Sequence, residues 1–246
     1  TTDGPAANAH AVTFVNAHWG FEASEANRPN YTTNTAFAIP TSWVAGTATA
    51  TSYRPYIYPN GNQSDKADQG HTGRYCLYMN QPNSASRLPI FAMLPTISDK
   101  EMNSLSLEFW ARTFNSTLDV NTSNTVYGDW KFGYLTSLDD TLKANFNTNV
   151  HYVQALDLTA NWTKYTLDLK DFPAGSYPVI YIDSMGEHNV RYAYLDDVQF
   201  IETPAPGPEP LIGKTTTLAN AVWDFSQEMA TADNGYGYHI PSNMIA

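Results

Sequence analysis

The chain has 246 residues, 42% of them apolar and 13% aromatic, only 15% charged, with a net charge of −11. That length and apolar share are enough to bury a sizeable core, which excludes a disordered chain. The acidic balance, with no Lys/Arg cluster to offset it, argues against nucleic-acid and anionic lipid partners, and no apolar run is long enough for a transmembrane helix, so no membrane insertion is expected.

In chain order, strands are predicted at 12–17, 43–50, 74–80, 105–111, 127–136, 149–157, 163–169, 177–183 and 190–202. The clearest have strict period-two alternation. Leu105, Leu107, Phe109 and Ala111 alternate with Ser106, Glu108, Trp110 and Arg112, and Thr163, Tyr165, Leu167 and Leu169 alternate with Lys164, Thr166 and Asp168. Turn clusters separate the strands: Pro59-Asn60-Gly61-Asn62, Phe172-Pro173-Ala174-Gly175 and Met185-Gly186-Glu187. No segment has a long 3.6-residue apolar period. Thr, Tyr, Phe, Trp and Val favour pleated, half-buried surfaces, so the expected class is all-β, a sandwich of two antiparallel sheets.

Residues 203–210 read Thr-Pro-Ala-Pro-Gly-Pro-Glu-Pro, a stiff extended spacer. The expected organisation is one domain over 10–202, the linker 203–210, and a second, incomplete repeat module over 211–246. The repeat rests on an echo: Asn16-Ala17-His18-Trp19-Gly20-Phe21 returns as Asn220-Ala221-Val222-Trp223-Asp224-Phe225, and Ile39-Pro40 as Ile240-Pro241. The other reading of the echo is chance, since Asn, Ala and aromatics are common here.

Catalytic signatures are absent: no Gly-rich phosphate loop, no His-Glu-x-x-His, no Gly-x-Ser-x-Gly and no Cys-x-x-Cys. Asp139-Asp140 and Asp65/Asp68 are paired carboxylates of the kind sugar hydrolysis uses, but they stand in Ser/Asn/Gly-rich loops where solvated turn residues are the rule. The single cysteine, Cys76, lies in a strand and reads as a packed thiol. No catalytic residue is assigned and the chain is read as a non-enzyme.

Two aromatic clusters carry the binding hypothesis. Tyr53, Tyr56 and Tyr58 surround Arg54 and Pro55 beside a turn; Tyr127 and Trp130 flank Asp129, with Lys131 next. A sugar site needs aromatic platforms beside planar polar groups. Ordinary core strands are the alternative for both clusters.

The ordered set Phe21-Glu22, then Ile39-Pro40-Thr41-Ser42-Trp43, then Gly70-His71-Thr72-Gly73-Arg74-Tyr75-Cys76-Leu77, then Leu105–Trp110, and a closing Tyr194-Leu195-Asp196-Asp197-Val198 resembles the β-jelly-roll domains of bacterial surface proteins. These are the cleaved-adhesin and MAM-like domains and the related carbohydrate-binding modules. The resemblance implies a jelly-roll of galactose-binding-like or concanavalin-like type. It implies a noncatalytic module that binds an extracellular glycan or glycoprotein, secreted or held at the outer surface of a Bacteroidetes-type bacterium. A glycan hydrolase on the same scaffold and a structural spacer or protein-adhesion module remain as alternatives. The resemblance also implies one structural Ca²⁺ at Glu22 and Asp196, with Asp197 as a further ligand and loop carbonyls near His71 completing the shell. Read from the residues, Asp196 shares a side of its strand with Tyr194, Val198 and Phe200, so its carboxylate points into the packed side and calls for a cation or several donors. The alternatives are carboxylates capping turns in water, or a salt bridge to Arg191.

Overall fold

The computed structural model describes residues 10–22, 39–47, 55–58, 70–80, 89–113, 127–141, 145–183 and 192–203. Among them the strands are β1 (Ala11–Val12), β2 (His18–Trp19), β3 (Val44–Thr47), β4 (Tyr56–Tyr58), β5 (Cys76–Asn80), β6 (Ile90–Met93), β7 (Thr96–Ile97), β8 (Leu105–Arg112), β9 (Tyr127–Leu135), β10 (His151–Leu158), β11 (Thr163–Asp168), β12 (Tyr177–Ile182) and β13 (Tyr192–Glu202), with one short helix, α1 (Phe146–Asn149).

Two antiparallel sheets face each other. The front sheet has the order β11-β8-β13-β5-β4, with β2 added on β13; the back sheet has the order β10-β9-β12-β6-β3. From β5 onward the chain crosses between them as front, back, front, back, back, front, back, front, omitting the two-residue β7. That double Greek-key path is a jelly roll. β3 and β4 extend one edge of each sheet, and β1 pairs with β7 in a small parallel ribbon.

The alternation predicted for β8 holds: Leu105, Leu107, Phe109 and Ala111 are fully buried between the sheets, whereas Glu108, Trp110 and Arg112 are only half-buried. They meet Trp19, Phe21, Ile57, Leu77, Trp130, Phe132, Ile180 and Leu195 in one core. Segment 12–17 departs from the predicted strand. Phe14–Asn16 is a 3₁₀ turn, held by the Phe14 N–H donating to Asp99 Oδ1 (2.7 Å) and Asn16 Nδ2 donating to Thr13 Oγ1 (3.0 Å). Side-chain acceptors, one local (Thr13) and one distant (Asp99), outcompete the ladder there.

β6 and β12 are buried on both faces. Residues 138–141 and 145–150, the latter including α1, lie over the back sheet's outer face, where Phe91, Met93, Leu135, Phe146, Tyr177, Val179 and Tyr181 form a second core. The rings of Phe91 and Phe146 stack at 4.3 Å. Gly133 allows β10 to approach closely, because a Cβ at that position would collide with the His151 carbonyl oxygen, a backbone atom that cannot swing aside. Gly133→Ala is therefore expected to cost about 1–3 kcal/mol by forcing the β9–β10 ladder apart, read as a lower urea midpoint with an unchanged slope.

The chain divides into units 1–203 and 204–246. The second unit, and with it the repeat expected over 211–246, lies outside the described residues. Among the described residues, no helix is long and apolar enough to cross a membrane.

Candidate functional site

Two features stand on the front sheet's outer face. The first is a loop held by carboxylates. β2 pairs with β13, Val198 opposite Trp19, which brings the start of the domain against its last strand. Between Asp196 and Gln199, β13 carries one more residue than β8 opposite it. This bulge takes Asp197 to a φ of +48°, a costly conformation for a residue with a Cβ. It also reverses the strand's parity. Asp196 therefore does not share a side with Val198 and Phe200, which turn into the core; it stays outward, below the loop 70–75. That corrects the expected orientation, and the burial of Asp196 (0% exposed) comes from this loop rather than from the core.

The loop's backbone supplies the donors. Asp196 Oδ2 accepts from the N–H of His71 (2.7 Å) and Thr72 (3.1 Å), and Oδ1 from the N–H of Asp197 (2.8 Å). Glu22 Oε1 accepts from the N–H of Arg74 (2.6 Å) and Tyr75 (2.7 Å). Asp197 binds the loop's side chains, Oδ2 to His71 Nδ1 (2.7 Å) and Oδ1 to Thr72 Oγ1 (2.6 Å). Burial, then the neighbouring Asp197 charge, push the Asp196 carboxyl up to about 8, against the pull of its three N–H donors.

Glu22, Asp196 and Asp197 thus meet around one loop, and each is engaged with it. Among the described residues no group of three or more His, Cys, Asp or Glu side chains converges as a metal site would require. The oxygens nonetheless suit a hard cation. A Cβ added to Gly70 would collide with Thr72 O (2.5 Å) and Tyr75 O (2.7 Å) and lie 3.1 Å from Asp196 Oδ2, so two carbonyls and a carboxylate oxygen crowd against Gly70, oxygen donors of the type that Ca²⁺ takes.

The second feature is a row of rings. Tyr56 stands opposite Tyr78, Tyr78 opposite Tyr194, and Tyr194 opposite Arg112. The flanking residues Ile57, Leu77, Leu195 and Ala111 point inward to the core, so the row lies outward by strand alternation. Ring centroids are 5.3 Å apart for Tyr56–Tyr78 and 5.2 Å for Tyr78–Tyr194. The Arg112 guanidinium lies 4.9 Å from the Tyr194 ring and 5.5 Å from that of Trp162, just before β11. Tyr58 tilts over Tyr194 at 6.2 Å. Tyr194 is buried as the floor, while Tyr56, Tyr58, Tyr78, Arg112 and Trp162 are half-buried. One register step along, Cys76 and Asp196 lie under the loop, and His71 stacks on Trp110 at 4.0 Å. Burial and the nearby Asp196 raise the Cys76 thiol, which is the packed, unreactive cysteine expected.

Of the ring candidates, Tyr56 belongs to this row, while Tyr58 stands opposite Cys76 in the next register row and tilts over Tyr194 from there. Trp130 does not face solvent: it is 0% exposed in the core, opposite Leu156 and Ile182, because its alternation parity points it between the sheets. Tyr53 and the side chain of Tyr127 lie outside the described residues. Of the carboxylate pairs weighed for hydrolysis, Asp140 is buried and accepts from Ser137 N (3.2 Å) and Asn149 Nδ2 (2.7 Å), bracing the turn before α1; Asp65 and Asp68 lie outside the described residues. Sequence reasoning missed Tyr78, Tyr194, Arg112 and Trp162. Each lies in or beside a strand that alternation predicts, but the register that aligns them was not readable. A pocket of about 310 Å³, lined by His18, Trp19, Gly20, Asp197, Val198 and Gln199, opens beside the β13 bulge.

No protein-family model matches the chain, and no curated protein does. Among solved structures the chain is similar to bacterial surface and carbohydrate-binding jelly rolls. The K1 cleaved adhesin domain of Lys-gingipain from Porphyromonas gingivalis W83 is 19% identical over 67% of this chain and 93% of that one, with a TM-score of 0.39. The CBM22-1 xylan-binding domain from Paenibacillus barcinonensis Xyn10C is 15% identical over 68% and 88%, with a TM-score of 0.39. The C-terminal family 22 carbohydrate-binding module of Clostridium thermocellum Xyn10B is 11% identical over 78% and 98%, with a TM-score of 0.40.

Proposed function

We propose that residues 10–202 form a noncatalytic carbohydrate-binding module of an exported bacterial surface protein, its ligand an extracellular glycan or the glycan of a glycoprotein. The observation that carries this reading is the outward row Tyr56–Tyr78–Tyr194–Arg112 ending at Trp162. It sets aromatic rings beside a planar guanidinium on an acidic, Asn/Thr-rich surface, the combination that orients a neutral polar ring while stacking on its apolar face. A single module of this kind binds in the micromolar to millimolar range, about −4 to −8 kcal/mol. A glycan array probed with the purified chain tests the reading. Binding that falls at least tenfold in Trp162→Ala supports it, and an array on which the chain binds no glycan overturns it.

Calcium is the structural cation in this reading, held by Glu22 and Asp196 with the carbonyls of Thr72 and Tyr75. Asp197, with both oxygens on His71 and Thr72, supports the loop instead. The ion supplies the positive charge that the buried Asp196 carboxylate lacks. A ligand bound only by the folded state stabilises it by about 2.7 kcal/mol at a hundredfold excess over its Kd, or roughly 5–10 °C in Tm for a domain of this size. Added calcium is expected to raise melting by that amount and chelator to reverse it; a melting curve indifferent to both removes calcium from the proposal.

A further inference from the structure

Trp162 ends the ring row, but no ladder orients it. It precedes the first pair between β8 and β11, Thr163 opposite Ala111. It stands in the turn from β10, where Asn161 O accepts from Thr159 Oγ1 (3.1 Å) and Thr163 Oγ1 (3.2 Å). Those bonds fix the backbone of the turn and leave the indole to be oriented by its surroundings. Three groups surround it: the Arg112 guanidinium at 5.5 Å, the Tyr194 ring at 6.5 Å and the His71 ring, edge-on, at 5.7 Å. Arg112 and Tyr194 belong to the row. His71 comes from the loop 70–75, outside it.

His71 is itself fixed on three sides. Its N–H donates to Asp196 Oδ2 (2.7 Å), its Nδ1 is bonded to Asp197 Oδ2 (2.7 Å), and its ring lies flat on Trp110 at 4.0 Å and 14°. Trp110 stands opposite Lys164, which makes it the diagonal neighbour of Trp162 across the two strands. The imidazole fills that diagonal, lying on one indole and against the other. Its bond to Asp197 reaches the β13 bulge, beyond Asp196 from the row. A binding ring is precise when the groups behind it are themselves locked by packing and hydrogen bonds.

We infer that His71 is a positioning residue for glycan binding: clamped by Asp196 and Asp197, it holds the Trp162 indole in the orientation that meets the sugar, and so couples affinity on the ring row to the bulge in the last strand. This rests on the carbohydrate-binding reading above and adds what regulates that site. An indole left free to turn must be immobilised when a sugar binds, which lowers affinity roughly two- to tenfold.

The test is calorimetric titration of the full chain, at one fixed calcium concentration, with xylohexaose, cellohexaose, β-1,4-galactotetraose and the glycan bound most strongly on the array. His71→Ala is expected to lower affinity roughly two- to tenfold, and His71→Phe, which keeps a flat ring on Trp110, to restore most of it. Asp197→Gly is expected to lower affinity in the same direction by releasing the imidazole; glycine accepts the +48° φ of the bulge, so this variant folds and decides the matter if His71→Ala does not. In a Trp162→Ala background, or Trp162→Phe where residual binding is too weak to titrate, neither substitution should lower affinity further, because a positioning residue acts only through the ring it holds. Losses that are equal with and without Trp162, or His71→Phe as weak as His71→Ala, would show the imidazole contacting the sugar itself and overturn the inference. Native affinity in both His71→Ala and Asp197→Gly overturns it as well and leaves the carbohydrate reading standing. A native chain that binds none of the probes and no glycan on the array overturns that reading, and this inference with it.

Discussion

Asp196→Leu is expected to destabilise the domain by about 3–5 kcal/mol, the largest effect of any single outward-facing position. The carboxylate is the acceptor for the N–H groups of His71, Thr72 and Asp197. Leucine fills the space but leaves all three without a partner, at about 1–3 kcal/mol for each that stays dry; water recovering one of them brings the total into the expected range. Asp196→Asn keeps an acceptor oxygen and should cost far less. The two variants also separate by pH. The folded-state carboxyl is raised from 3.8 to about 8, so between those values the folded state holds a proton that the unfolded state has released. Stability from this group is complete below about pH 4 and is lost as pH climbs through 8, a change on the order of 5 kcal/mol at about 1.4 kcal/mol per unit. Urea unfolding in chelator from pH 4 to 8 should show this fall in the native chain and not in Asp196→Asn. Parallel curves for the two proteins would mean that Asp196 is ionised in the folded state even without a cation.

Trp19→Ala is expected to cost about 3–5 kcal/mol, although the strand that carries it has two residues. Trp19 is 1% exposed and packs edge-to-face on Trp43 (5.3 Å) and Phe200 (6.2 Å), tying the start of the domain to its last strand through the core rather than through the short β2 ladder. Its indole N–H is buried without an acceptor among the described residues. Trp19→Phe therefore loses volume but also removes an unsatisfied donor, and should cost no more than about 2 kcal/mol. Chemical denaturation of the two variants checks the order; a Phe variant as damaged as the Ala variant would show that the indole nitrogen has a partner.

Trp19 was readable in advance because its motif, Asn16-Ala17-His18-Trp19-Gly20-Phe21, and the closing Leu195-Asp196-Asp197-Val198 mark the ends of the domain in the sequence. The half-buried strands β8 and β11 were equally readable, since one wet face imposes period-two alternation on the residues themselves. β6 was not. Ile90–Met93 is buried on both faces because the distant Leu138, Phe146 and Val150 pack on the outer one, and a strand dry on both sides has no alternation to read.

The all-β class and the two-sheet architecture were determined by composition, alternation and ordered motifs, all of which are local properties of the chain. The side on which each chemistry-bearing residue falls was decided only by the tertiary structure. One extra residue in β13 turns Asp196 outward while Val198 and Phe200 turn in, and parity buries Trp130 but leaves Tyr56 and Tyr58 on the outward face. That row exists only because antiparallel pairing aligns Tyr56, Tyr78, Tyr194 and Arg112, residues from four strands whose register no single segment encodes. Register is set by the core packing of both sheets together, so the ring row became visible only once the strands were paired.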